Sequence, residues 1–332
     1  MSVAAPARDR LRDLGRGAAG WSTASRYAAV LLLLLGIAAF FSASEGGKFL
    51  SGANLQNLLS SVSILWIVSM GMTLVVITGG IDLSVGSLLA LSGLMLSKLF
   101  SGVGIVAPLA VILAVLIGGL IGASVNGTLI GRFGLSFFVV TLGTASLYQG
   151  VTSIWSHTET AYINSSFVDG IGFGSALGID TPIWIMIGVF LIMFVTLRWT
   201  YFGRDVYAVG GNVDAARLSG IDVTRTLVAV YAIVGACAAL GGVVQAGRLG
   251  AASPIVGSDI PLGSAAAVLL GGTSFSGGVG GVTGTAVGVL FIGTLQNGLA
   301  IRGVSSFWQE VVVGLILILA VGIDRIQQRR GT

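Results

Sequence analysis

Two short stretches place a carboxylate between apolar runs. Gly80–Ser87 reads GIDLSVGS and Gly257–Ser264 reads GSDIPLGS, so both follow G-x-D-[LI]-x-[VL]-G-S. A lone carboxylate at membrane depth is costly and by default marks a functional site. Asp82 and Asp259 could hydrogen-bond a polar solute on its path, or carry a proton or sodium ion. Gly79 and Gly80 break the preceding helix, and Ser84 or Asp82 can cap the next one by accepting its free amide hydrogens. A cap with no solute contact is therefore the competing reading, and the pattern leaves both open.

Other chemistries are excluded. His157 is the only histidine and Cys237 the only cysteine, so neither a His-based catalytic or metal site nor a disulfide is available. Cys237 reads as a small packing residue. Leu269–Val279, LLGGTSFSGGV, sets Gly271, Gly272, Gly277 and Gly278 around Ser274 and Ser276 like a phosphate loop. The only lysines are Lys48 and Lys98, and no G-x-x-x-x-G-K-[ST] occurs. ATP is not bound by that device, and the run reads as a broken helix or a close helix contact.

A third stretch, Phe202–Thr224, is the largest loop predicted on the cytoplasmic side. Asn212 can cap a short helix over Val213–Leu218, with Asp214 in its first turn, Arg217 near its end and Gly220 as the stop. Such a protruding helix suits docking into a groove on a partner, with an ordinary connector as the alternative.

The elements that position these residues follow from composition. The 332 residues are 55% hydrophobic and only 9% charged, with 52 glycines. A soluble domain carries about 25% charged residues, whereas glycine-rich apolar helices pack closely in lipid. The net charge of +4 does not indicate nucleic-acid binding, because the basic residues are scattered singly.

A crossing helix needs about 20 apolar residues, and ten stretches qualify: 27–44, 58–78, 84–99, 105–127, 135–154, 183–200, 227–246, 263–275, 279–297 and 306–323. The third and eighth are short. The first follows Arg8, Arg10, Arg12, Arg16 and Arg26, and reads as a signal anchor rather than a cleaved signal peptide. With residues 1–26 as a basic cytoplasmic arm, 13 Lys and Arg residues fall inside. Only Lys48, Lys98, Arg248 and Arg302 fall outside, which places both termini in the cytoplasm. Trp66, Trp155, Trp184, Trp199 and Trp308 fall near predicted span ends, as in an aromatic belt.

The chain also matches itself. Besides the G-x-D pair, Asn126–Phe137 (NGTLIGRFGLSF) resembles Asn297–Phe307 (NGLAIRGVSSF), and both second copies fall after the fifth span. Five spans per half is an odd number, so the halves, about 27–155 and 183–324 of one domain over 27–332, are expected to be inverted. Inverted repeats with short spans in matching positions point to a transporter with its path at the repeat interface. The expected fold is an all-α integral membrane protein of about ten helices in two inverted five-helix repeats, short or broken at spans three and eight.

At these motifs the sequence resembles the permease subunits of bacterial monosaccharide ABC importers of the ribose, xylose and galactose type. The resemblance rests on GGIDLSVGS at Gly79–Ser87, VNG at Val125–Gly127, YAVGGNVDAARLSGI at Tyr207–Ile221, VLLGGTSFSGGVGG at Val268–Gly281 and NGL from Asn297. It implies a second permease subunit, identical or related, cytoplasmic ATPases that hold ATP and magnesium, and an extracytoplasmic sugar-binding protein. It also implies an inner-membrane location and no enzyme activity or cofactor in this chain. Gly79, Gly80, Asp82, Ser84, Asn126, Asp259, Ser274 and Asn297 are then expected on the substrate pathway. Arg204, Gly211, Asn212, Asp214, Arg217, Ser219 and Gly220 are expected at the ATPase coupling surface. Family members commonly carry an acidic E-L-D-A-I-A-A run before the GG motif, where this chain reads Pro261-Leu262-Gly263-Ser264-Ala265-Ala266-Ala267. A proton- or ion-coupled secondary transporter using Asp82 or Asp259 is the rival reading. A branched-chain amino-acid permease is the nearest relative to be told apart, and GGIDLSVGS argues against it.

Overall fold

Lipid offers the main chain no hydrogen-bond partners, so apolar runs must satisfy their amides within themselves. The computed structural model describes residues 28, 30–45 and 47–331, and the basic arm at 1–26 lies outside them. Its helices are α1 (Val30–Ser44), α2 (Gly52–Ile77), α3 (Val85–Ser97), α4 (Ala107–Ile121), α5 (Thr128–Gly131), α6 (Phe137–Ser156) and α7 (Ser166–Phe173). They continue with α8 (Thr181–Trp199), α9 (Tyr201–Gly211), α10 (Val213–Leu218), α11 (Val223–Leu249), α12 (Ile260–Leu270), α13 (Val282–Ile301) and α14 (Ser306–Gly331). Seven helical segments are long and apolar enough to cross a membrane, and Val30–Ser44, Ile260–Leu270 and Ser306–Gly322 are shorter apolar helices. These segments coincide with the ten sequence-predicted stretches. The protein is an all-α membrane protein with multiple spans.

The third span is not simply short. α3 continues through a π-helical turn at Lys98–Gly102, and α4 likewise runs into a second π-helical turn at Gly122–Gly127 before α5. The only strands among the described residues are two-residue pieces in loops: β1 (Ala161–Tyr162) pairs with β4 (Ala251–Ala252), and β2 (Ser175–Ala176) with β3 (Ile179–Asp180).

α4 shows the packing rule. Its buried positions are Ala107, Ala110, Ala114 and Gly118, while Leu109, Ile112, Leu116 and Leu120 face outward. Small residues inside and large ones outside reverse the soluble arrangement, as expected where lipid is as apolar as leucine and close backbone approach supplies the attraction. The partner is α11: a Cβ on Gly122 would fall against Tyr231 O, and one on Gly235 would lie 2.5 Å from Gly118 O.

The helices pack in a two-fold pattern. α11 lies against α3 and α4, just as α2 lies against α12 and α13, and α2 and α11 touch each other at the centre. α3 packs on α6 as α12 packs on α14. α11 thus packs on the two helices that follow α2, and α2 on the two that follow α11. Thr73 and Thr285 join α2 to α13 by a hydroxyl hydrogen bond of 2.7 Å. This central position buries α2, so Trp66 sits in the core with its ring 5.9 Å from that of Phe190 rather than in an interfacial belt.

Candidate functional site

The first G-x-D segment folds into a lock. α2 stops at Gly79, whose φ of +82° is available without strain only to glycine, and the chain turns into α3. Asp82, 2% exposed, accepts from the Ser84 amide at 2.9 Å and from the Ser84 hydroxyl at 2.6 Å on one carboxylate oxygen. Asn126, reaching in from the second π-helical turn, donates to the other oxygen at 3.2 Å and to Ser84 Oγ at 2.9 Å. A buried carboxylate requires such donors, and these tie the start of α3 to the end of α4.

The second G-x-D segment has the same spacing without the lock. Pro261 stands where Ser84 stands, and proline has neither an amide hydrogen nor a hydroxyl. Asn297, the counterpart of Asn126, instead exchanges side-chain hydrogen bonds of 3.0 and 3.1 Å with Asn54. Asp259 is consequently exposed, and its carboxylate has no hydrogen bond or ion pair among the described residues. The two segments meet: a Cβ on Gly86 would fall against Gly257 O. Gly257 itself has a φ of +82°.

Asp259 opens into a cavity of about 680 Å³. Its walls come from the first half of α2, the end of α11, the loop before α12, the second half of α13 and the start of α14. Asn57, Gln245, Gln296, Asn297, Gln309 and Glu310 supply polar groups. None of its lining residues is Lys or Arg. The cavity therefore presents amides, hydroxyls and two carboxylates, a surface that accepts hydrogen bonds from hydroxyl groups and repels anions.

At the opposite end of α2 the chain forms a protruding segment. Thr200 caps α9 by accepting from the Gly203 amide at 3.0 Å, and Asn212 caps α10 by accepting from the Ala215 amide at 2.9 Å. Gly220, with a φ of +84°, ends the segment. α10 rests on the protein through Ala216, beside Val209 and Val223, while Leu218 is 91% exposed. α9 is bound closely below. Gly210 packs against the main chain of Ile77, the last residue of α2, where no Cβ would fit. Ile77 O accepts from the Gly278 amide at 2.8 Å, and the Tyr207 hydroxyl donates to Gly280 O at 2.8 Å. The glycine-rich run Gly271–Gly281 is thus the α12–α13 loop, clasped to α2 and α9.

The structure divides the sequence-predicted pathway residues. Asp259 and Asn297 line the cavity. Asp82, Ser84 and Asn126 form the buried lock behind it, Gly79 and Gly80 turn the chain at the end of α2, and Ser274 lies in the clasped loop. Arg204, Gly211, Asn212, Asp214, Arg217, Ser219 and Gly220 are all exposed on α9 and α10 or just beyond. Glu310 and Gln245 escape the sequence reading. Their signal, a polar side chain within an apolar span, is the one that picks out Asp82.

Residues 54–321 match the family described as branched-chain amino acid transport system, permease component. The ribose import permease protein of Escherichia coli (strain K12) is 40% identical over 314 residues, 93% of this chain and 95% of that protein. The ribose import permease protein of Bacillus subtilis (strain 168) is 43% identical over 283 residues, 84% of this chain and 86% of that protein. The D-allose transport system permease protein of Escherichia coli (strain K12) is 38% identical over 303 residues, 91% of this chain and 92% of that protein. No solved structure matches the chain.

Proposed function

The chain belongs to the family of branched-chain amino acid transport system permease components, and from that premise we infer that it is the permease subunit of an ATP-driven monosaccharide importer in a bacterial inner membrane. It works with a second permease subunit, a cytoplasmic ATPase that binds ATP and magnesium, and an extracytoplasmic sugar-binding protein. The family description alone names amino acids. What favours a sugar, beside the ribose and allose relatives, is the cavity: amides, hydroxyls, Asp259 and Glu310 with no Lys or Arg. Such walls offer both acceptors and neutral donors to a polyol, but no cation to pair with the carboxylate of an amino acid.

The two ends of α2 supply a mechanism. α10, with Leu218 exposed, is the surface for the ATPase, and the distribution of basic residues supports a cytoplasmic position for this segment and both termini. Movement of α10 is carried through Gly210 to the end of α2 and through Tyr207 to the α12–α13 loop. Asn57 on α2 and Ile260 at the start of α12 wall the cavity, so one push shifts both sides of it. A polar solute needs such a lined path because lipid offers it no hydrogen bonds.

Reconstitution of the chain with an ABC ATPase and a sugar-binding protein tests this reading. Uptake of a labelled pentose or hexose that requires ATP is the expected result. Uptake that persists without the ATPase and collapses with the proton gradient would establish a secondary transporter instead.

A further inference from the structure

Residues of α2 and α11 line the cavity, and a polar staple joins these helices. Asn57 and Ser61 of α2 and Gln245 of α11 line the cavity. Ser60, on the adjacent face of α2, is the node of the staple. Arg248 of α11, one turn beyond Gln245, donates from Nη1 to the main-chain oxygen of Ser60. The Ser60 hydroxyl donates to Asp180 Oδ2 at 2.6 Å, and Gln56 Nε2 donates to Asp180 Oδ1 at 2.5 Å. Two charges of opposite sign thus meet on Ser60, beside the wall-lining Asn57 and Ser61 of α2.

The staple also reaches the loop outside it. Asp180 ends β3 and precedes α8, and Gln56 donates to Gly178 O at 3.2 Å. The β2–β3 hairpin turns at Leu177 and Gly178, both in the left-handed region, with Leu177 92% exposed. A displacement of this hairpin therefore pulls directly on the α2 wall.

We propose that Arg248, Ser60 and Asp180 are positioning residues that hold the α2 and α11 walls of the cavity together, and that the β2–β3 hairpin sets their engagement. This rests on the reading of the cavity as the solute site of a permease. Neither charged residue lines the cavity, so their effect on a solute passes through the spacing of α2 and α11. Held by a main-chain acceptor and a serine hydroxyl rather than by a buried ion pair, the staple can open without stranding a charge far from water.

Accessibility of a single cysteine measures it. Cys237 is the only cysteine and is buried, so Cys237→Ala with Ser61→Cys leaves one thiol, on the cavity wall. The full chain with its ATPase in nanodiscs is treated with a charged maleimide. Arg248→Met and Asp180→Ala are expected to raise the labelling rate about tenfold, as when roughly one charge-assisted hydrogen bond no longer opposes opening. Ser60→Ala, which keeps the main-chain acceptor, should give a smaller rise, and Arg248→Lys should restore slow labelling. Thermal unfolding of the same samples separates opening from loss of fold, and the two conservative variants carry the test if the others unfold. Labelling rates unchanged in all folded variants would overturn the staple while ATP-driven uptake left the importer reading standing. The expected labelling changes together with ATP-independent uptake would leave the staple standing and remove the importer reading.

Discussion

Pro261 occupies in the second G-x-D segment the position that Ser84 occupies in the first, and the two aspartates differ accordingly. Asp82 is buried under donors from Ser84 and Asn126, while the Asp259 carboxylate faces the cavity without a partner among the described residues. This difference, with the diversion of Asn297 to Asn54, leaves a structural lock in the first segment and a wall of the site in the second.

Restoring the serine tests this. Pro261→Ser would offer Asp259 an amide and a hydroxyl in the geometry that Ser84 offers Asp82. Uptake is expected to fall several-fold with little change in thermal stability, since no buried group is left unpaired. Wild-type uptake in this variant would show that Asp259 does not act on the solute.

The lock itself should be a stability element. Ser84→Ala removes the 2.6 Å donor to a buried carboxylate, a loss of about 1–3 kcal/mol. A lowered unfolding temperature of the purified protein is the expected reading. Asp259→Ala, by contrast, should leave that temperature nearly unchanged and lower uptake.

Gly210 has no room for a side chain, because its Cβ would fall on the Ile77 carbonyl. Gly210→Val should therefore separate α9 from the end of α2. Uptake is expected to be lost, together with the coupling of ATP hydrolysis to solute, while insertion into the membrane continues. Comparing ATPase activity with and without binding protein checks it.

The exposed face of α10 predicts the ATPase contact. Asn212→Ala removes the helix cap, worth about 1 kcal/mol, and Arg217→Glu reverses a charge that is exposed beside Asp214 at 3.7 Å. The double variant, or Leu218→Asp alone, should reduce copurification of the ATPase and leave membrane levels intact. Full uptake would remove the coupling role from this segment.

Much of this architecture is legible in the residues. Apolar runs of membrane length mark the helices because lipid forces each to close its own hydrogen bonds, and Asn212 with Gly220 brackets α10 because cap chemistry is local. The site was less legible. Gln245, Gln296 and Glu310 come from three different helices, and no spacing along the chain announces that they meet.

By itself the sequence determined the spans, the turns between them and the presence of two matching G-x-D segments, since each depends on neighbours a few residues away. It even held the decisive difference, Ser84 against Pro261. Only the tertiary structure decided which aspartate is closed and which is open, because the donors from Asn126, the diversion of Asn297 to Asn54 and the meeting of Gly86 with Gly257 depend on helices distant in the chain packing side by side.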